Sequence, residues 1–344
     1  MHNGGIRLIA HAALATATVL ATASPAGALT SATGTSAPAH LAPAHPPAGG
    51  RGAPAPITAP AALAASSPSA ASAPAVAAGK RRGDVPAVPG RAAYLFDPVA
   101  GTVHLSRQAA KRMPVASLTK IMTTYVMLRT ARLDDIVTIR AEDVRYAAVN
   151  GATHASLRAG ERLTVRDLLY AVMLPSGADA SHALARVYGP GTRRFVARMN
   201  ATARSMGLAD TVYTNADGLP KPAPGHSTAL DQAKLADIAL RDPVMRTIAS
   251  TGRHVVSRTK VHRAHTWINS NKLLGRTPGV IGLKTGYTRA AGYCLSFAAD
   301  ADGRRLVGVI LGETNGDRRF RSAERLLEWA GEPAPPQPWE SDAK

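Results

Sequence analysis

Apolar positions recur with the spacing of folded elements only from about Arg91 onward. Residues 92–96 and 101–105, on either side of Asp97-Pro98, read as two short strands joined by a turn. The segment 118–128 is apolar enough for a buried helix. Thr164, followed three residues later by Asp167, caps a helix that runs through Leu174. Residues 179–188 and 192–206 read as two more helices, the second placing Phe195, Val196, Met199 and Ala203 on one face. Thr228 and Asp231 open another helix, which stops before Asp242-Pro243. Residues 280–284, 292–298 and 306–311 then read as strands, with Asp302-Gly303 as a hairpin turn. A helix over 321–329 closes the pattern. Strands first, helices in the middle, then strands and a helix predict an α+β fold with an inserted helical part.

Upstream of Arg91 the chain is a different polymer. Residues 1–28 read as an export signal. Arg7 supplies the early positive charge, residues 8–23 form a short apolar stretch, and Ala26-Gly27-Ala28 is a small-residue cleavage site. Residues 29–88 are almost all Ala, Pro, Ser, Thr and Gly, too poor in apolar bulk to offset ordering entropy, and read as an extended tether. The expected organisation is signal 1–28, tether 29–88, one catalytic domain 89–334 and a flexible tail 335–344. Such a chain is expected outside the cytoplasm, in the wall or on the outer face of the membrane.

Charge and cysteine content narrow the function classes. The 344 residues carry a formal +18, and the first 79 contribute only Arg7 and Arg51 to it and no carboxylate, so a net +16 falls on the rest. Basic-aromatic stripes are missing and the chain reads as exported, which argues against nucleic acid and towards anionic wall polymers or a membrane surface. One cysteine excludes an intrachain disulfide framework. That residue, Cys294, lies among Tyr293, Leu295 and Phe297 and reads as a buried strand thiol. His254, His262 and His265 have no carboxylate at ligand spacing and read as surface residues.

Three short motifs carry candidate chemistry. In Pro114-Val-Ala-Ser117-Leu-Thr-Lys120 a serine at a helix start is followed by a lysine one turn on, so both side chains share a face. A lysine among Met122 and Val126 loses solvation, which lowers its pKa and frees it to take the serine proton. A second pair, Ser257 and Lys260, sits in a basic, His-rich stretch and reads as surface. Gly282-Leu-Lys284-Thr285-Gly286-Tyr287-Thr288 follows an apolar strand; its lysine and hydroxyls suit a substrate carboxylate, although a glycine turn ending the strand explains it equally well. Leu174-Pro175-Ser176-Gly177-Ala178-Asp179 presents Ser176 at a helix start and by itself reads as a cap.

Taken in this order, the motifs resemble those of the low-molecular-mass serine penicillin-binding proteins, the D-alanyl-D-alanine carboxypeptidase group. The resemblance runs from about Ala92 to Trp329. It includes Thr214-Asn-Ala-Asp-Gly-Leu219, His226-Ser-Thr-Ala229 and Asn269-Ser-Asn-Lys-Leu273. It implies a β-lactamase/transpeptidase-like α+β fold, with an antiparallel five-stranded sheet flanked by helices and an inserted all-α subdomain. It also implies that Ser117 forms an acyl-enzyme with peptidoglycan stem peptides ending in D-Ala-D-Ala, and that Lys120 takes its proton. Ser176 and Lys284 would assist the leaving amine, and the backbone N–H groups of Ser117 and Tyr287 would form the oxyanion hole. Thr285, Gly286 and Thr288 would bind the terminal carboxylate, helped by Arg319 or its neighbour Arg318. β-Lactams would act as covalent inhibitors, with no metal and no cofactor.

One position departs from this pattern. The third residue of the middle motif, usually Asn, is Ala178, which has no side chain to orient the substrate's peptide group. Asp179 beside it suits a helix N-terminus rather than that role. The alternatives are a DD-transpeptidase of the same fold, a serine β-lactamase, and a catalytically weak wall-binding protein. A class A β-lactamase reading lacks a Glu-x-x-Leu-Asn equivalent between Ser176 and Lys284.

Overall fold

The computed structural model describes residues 84–301 and 303–331. The signal read at 1–28, the tether before residue 84, the tail read at 335–344 and Asp302 of the expected hairpin turn lie outside them. The described chain opens with β1 (Ala92–Asp97) and β2 (Thr102–Arg107), then a 3₁₀ turn (Ala116–Leu118) leading into α1 (Thr119–Thr130). Next come β3 (Ile136–Thr138), α2 (Ala141–Val149), β4 (Arg162–Thr164), α3 (Val165–Met173), α4 (Ala178–Tyr188) and α5 (Thr192–Ser205). After these follow α6 (Ala229–Leu240), α7 (Pro243–Ser250), β5 (Arg253–Val256) and β6 (His265–Ile268). The strands β7 (Val280–Thr288), β8 (Gly292–Ala301) and β9 (Arg304–Glu313) and helix α8 (Arg318–Gly331) complete it.

Five strands form one antiparallel sheet in the order β2-β1-β9-β8-β7, so β7 is an edge. Because side chains alternate across a sheet, each inner strand feeds two cores. From β9, Val307, Val309 and Leu311 enter the larger core, while Leu306 and Ile310 face the other way with Leu95, Leu295 and Phe297. Against that second face lies α8, through Phe320, Ala323, Leu326 and Leu327. Covering both faces makes β8 and β9 read as nearly continuous apolar runs rather than alternating ones.

Helix α1 is the hub of the larger core. All nine residues from Thr119 to Met127 are buried, and α3, α4, α5, α6 and α7 surround it. A helix buried all round has no polar face, in keeping with its sequence. Helix α5 buries Phe195, Met199 and Ala203, while Val196 is partly buried against the same core. Two expected caps form as read: Thr164 Oγ1 accepts from Asp167 N (3.0 Å) and Thr228 Oγ1 from Asp231 N (3.0 Å).

Several details differ from the sequence reading. Asp242-Pro243 ends one helix and also begins another, with Asp242 capping α7 and Pro243 at its first turn. Helix α2 is held by an unforeseen contact: buried Asp143 accepts from His182 (2.7 Å) and Arg186 (2.7 and 3.0 Å) on α4. The two-stranded antiparallel pairs β3-β4 and β5-β6 are too short to read from periodicity. His265, expected at the surface, is buried against Glu161 (3.1 Å). His254 stacks on Tyr170 and bonds Asp167 (2.8 Å). Their carboxylates lie about 90–100 residues away in sequence, which is why local spacing showed none.

Candidate active site

Ser117 sits on a strained corner. Ala116, just before it, has φ 49°, a left-handed conformation that costs a non-glycine residue about 1–3 kcal/mol. Its surroundings over-determine it. Gly218, with φ +83°, backs onto the corner so closely that a Cβ there would overlap the Ala116 carbonyl. From the other side comes Gly286 of β7, where an added Cβ would lie 3.1 Å from Ser117 N and 3.2 Å from the Ala116 Cβ. Glycine at these two positions lets the loop and the strand close on the turn.

One helical turn on, Lys120 Nζ lies 3.3 Å from Ser117 Oγ and donates to the Asp217 carbonyl at 3.0 Å. Thr123, one turn further, donates to the Ala216 carbonyl (2.6 Å). The Thr214-to-Leu219 block thus clamps the first two turns of α1. Asn215 organises it, accepting from Gly218 N (2.7 Å) and donating to the carbonyls of Leu219 and Lys221 (2.7 and 2.9 Å). Lys120 is only 2% exposed. Burial lowers its pKa to about 8, against the opposing pull of the Asp217 and Asp179 carboxylates.

The turn before α4 carries the candidate Ser176. Ser176 is buried, has φ 67°, and its Oγ has no hydrogen-bond partner among the described residues. Ala178 begins α4 and donates its N–H to the Thr153 carbonyl (2.9 Å). The Asp179 carboxylate accepts from the backbone N–H groups of Ala155, Leu157 and Ala180 at 2.8–3.1 Å. Asp179 therefore holds the 153–157 loop onto the helix N-terminus and is not available as a stand-in for the missing Asn amide.

Strand β7 packs against the Ser117 turn. Lys284-Thr285-Gly286 is not a turn ending a strand: the segment stays paired with β8 as far as Thr288↔Gly292. Lys284 is 1% exposed, and its pKa is held well below the lysine range by burial first, then by the charges of Lys120 and Arg319. Thr285 Oγ1 lies 2.6 Å from Ser270 Oγ. Thr288 Oγ1 accepts from Ala291 N (3.1 Å), so its own proton remains free to donate. Tyr287 is exposed and packs on Tyr293, ring centroids 4.3 Å apart.

The two arginines separate cleanly. Arg318 is bound to Glu313 (2.7 and 3.0 Å). Arg319 instead reaches back to β7 and β8, its Nη1 donating to the carbonyls of Gly286 (2.9 Å) and Cys294 (3.0 Å). Cys294 is buried in β8 and its thiol is pushed up to about 11, chiefly by that burial. Ser257 and Lys260 are both exposed and lie outside this cluster.

Asp217, Gly218 and Ser270 are site residues to which the sequence reading assigned no role. All three lie in blocks that carried the family resemblance, but what they do depends on contacts with residues far away in the chain. What the assembled groups can do is acyl transfer: a serine beside a poorly solvated lysine, a second buried serine, and a strand with hydroxyls and an arginine behind it.

Comparison with known proteins gives a consistent result. The family model for D-alanyl-D-alanine carboxypeptidase matches residues 80–315. The chain is 34% identical over 256 residues to the D-alanyl-D-alanine carboxypeptidase of Streptomyces sp. (strain K15), covering 71% of this chain and 88% of the relative. It is 31% identical over 254 residues to D-alanyl-D-alanine carboxypeptidase DacF of Bacillus subtilis (strain 168), covering 73% of this chain but only 64% of that protein. The crystal structure of the Streptomyces K15 DD-transpeptidase matches with a TM-score of 0.68 at 35% identity, covering 72% of this chain and 99% of that one.

The lysine pKa predicts a pH profile. Below about 8 Lys120 holds its proton and cannot accept the serine's. The rate of Ser117 acylation by an activated ester should therefore rise about tenfold per pH unit below that value and level off above it. A stopped-flow profile flat from about pH 6 to 10 would exclude Lys120 as the base.

Proposed function

The chain belongs to the D-alanyl-D-alanine carboxypeptidase family, and from that membership we propose that it removes the terminal D-alanine of peptidoglycan stem peptides through an acyl-enzyme on Ser117. The observation that carries this reading is the part-buried Ser117 hydroxyl in contact with buried Lys120, with the lysine pKa lowered to about 8 and Lys284 alongside. Ser117 Oγ attacks the carbonyl between the two D-alanines as Lys120 Nζ takes its proton. As the C–N bond breaks, the proton taken up by Lys120 is relayed to the departing amine through Ser176. The Ser176 Oγ accepts that proton while giving its own to the nitrogen; it has no other partner among the described residues. Water then attacks the ester and releases Ser117. The backbone N–H groups of Ser117 and Tyr287 stabilise the oxyanion. Thr285 and Thr288 donate to the terminal carboxylate, with Gly286 allowing close backbone approach. Arg319 supplies positive charge from behind the strand, a role for which the Glu313-bound Arg318 is poorly placed. β-Lactams acylate the same serine and hydrolyse slowly.

Transpeptidation is the second reading, supported by the likeness to the K15 DD-transpeptidase; it shares every step up to the acyl-enzyme and differs in the acceptor. Export to the wall or the outer membrane face is supported by the composition of residues 1–28. The charge excess after residue 79 supports attraction to anionic wall polymers or a membrane surface.

Three measurements test this account. Mass spectrometry of a pentapeptide ending in D-Ala-D-Ala should show loss of one alanine, and Ser117→Ala should abolish both that and penicillin labelling. Labelling that survives Ser117→Ala would remove the assigned nucleophile. Ala178→Asn should restore a hydrogen bond worth about 1–3 kcal/mol and speed acylation by about one to two orders of magnitude; an unchanged rate would mean that Ala178 is no handicap. Cosedimentation with anionic wall polymer should weaken as salt rises, and salt-independent binding would rule out a charge-driven association.

A further inference from the structure

Ser270 touches two distant segments at once. Its N–H donates to the carbonyl of Leu174 (3.1 Å), two residues before Ser176. Its Oγ lies 2.6 Å from Thr285 Oγ1 on β7. The loop carrying it is pinned on both sides. Asn269 N donates to Gly252 O (2.8 Å), and the Asn269 side chain donates to the carbonyls of Ala249 and Thr251 (3.3 and 3.0 Å). Asn269 Oδ1 accepts from Asn271 N (3.0 Å), and Asn271 Oδ1 in turn accepts from Leu273 N (3.1 Å). A hydroxyl on so constrained a loop has a fixed position even though it faces solvent.

We propose that Ser270 is a positioning residue that aims the Thr285 hydroxyl at the substrate's terminal carboxylate and so sets the preference for a free C-terminus. This rests on the functional reading above. Two hydroxyls in contact share one hydrogen bond, so one donates and the other accepts. A carboxylate only accepts, so Thr285 must direct its proton outward to bind it. That leaves Thr285 Oγ1 as the acceptor for Ser270, and the chain runs Ser270 O–H to Thr285 Oγ1, then Thr285 O–H to carboxylate. Donation from Ser270 also polarises the Thr285 O–H and strengthens its outward bond. Without Ser270 the threonine hydroxyl is free to rotate and serves a neutral C-terminal amide as readily as an acid. Because the same residue holds the Leu174 carbonyl, carboxylate recognition is tied to the segment that carries Ser176.

The test compares a D-Ala-D-Ala peptide with a free C-terminus against the same peptide amidated at its C-terminus, in wild type, Ser270→Ala and Ser270→Thr. Thermal melting of each variant confirms that it is folded. Ser270→Ala should raise KM for the free acid roughly tenfold with kcat nearly unchanged, leave the amide unaffected, and so cut the acid-to-amide preference roughly tenfold. Ser270→Thr, which keeps the hydroxyl, should restore most of it. An unchanged preference in Ser270→Ala, or an equal loss on both peptides, overturns the inference while leaving the activity assignment intact. A wild-type chain that releases no D-alanine from the free acid overturns the assignment, and this inference with it.

Discussion

Lys120 and Lys284 are buried in the same seam between α1 and β7, and two ammonium groups cannot both stay charged in so poorly solvated a place. The charge of Lys120 depresses the protonation of Lys284 on top of the burial cost, while Lys120 itself is lowered by burial. The arrangement is unfavourable for stability and useful for chemistry, because a neutral lysine can accept the serine proton near neutral pH. The Asp217 and Asp179 carboxylates work in the other direction on Lys120, moderating the shift.

Holding the seam closed falls to the scaffold around it. The left-handed Ala116 and Ser176 place both candidate hydroxyls at corners rather than within helices. Gly218 and Gly286 press on the first of these corners from opposite sides. The second is braced by Asp179 and the 153–157 loop. Ser270 then links that segment to β7. Strain at the reacting groups is thus offset by hydrogen bonds spread over several distant segments, a common arrangement where geometry must be held within fractions of an ångström.

Much of this was legible in local patterns. The caps at Thr164 and Thr228, the apolar run of α1 and the face of α5 are each governed by neighbours within a turn or two, so a sequence window contains their cause. The α7 start at Asp242-Pro243 carries an equally local signal, because the same two residues that stop α6 also suit the first turn of a helix. By contrast, His254 and His265 read as surface residues because their partners Asp167 and Glu161 are distant in the chain. Lys284-Thr285-Gly286 was ambiguous between turn and strand because glycine and threonine permit either. Pairing with β8, a long-range contact, resolved it.

By itself the sequence determined the α+β order of elements, the serine–lysine pair one turn apart, the three-motif order and the absence of an amide at residue 178. These depend on residue identity and short spacing. Only the tertiary structure decided that Lys284 is buried close enough to Lys120 for their charges to couple, that Arg319 rather than Arg318 stands behind β7, and that Ser270 bonds both Leu174 and Thr285. Burial, charge coupling and hydrogen-bond direction depend on which distant segments are packed together, and no local pattern records that.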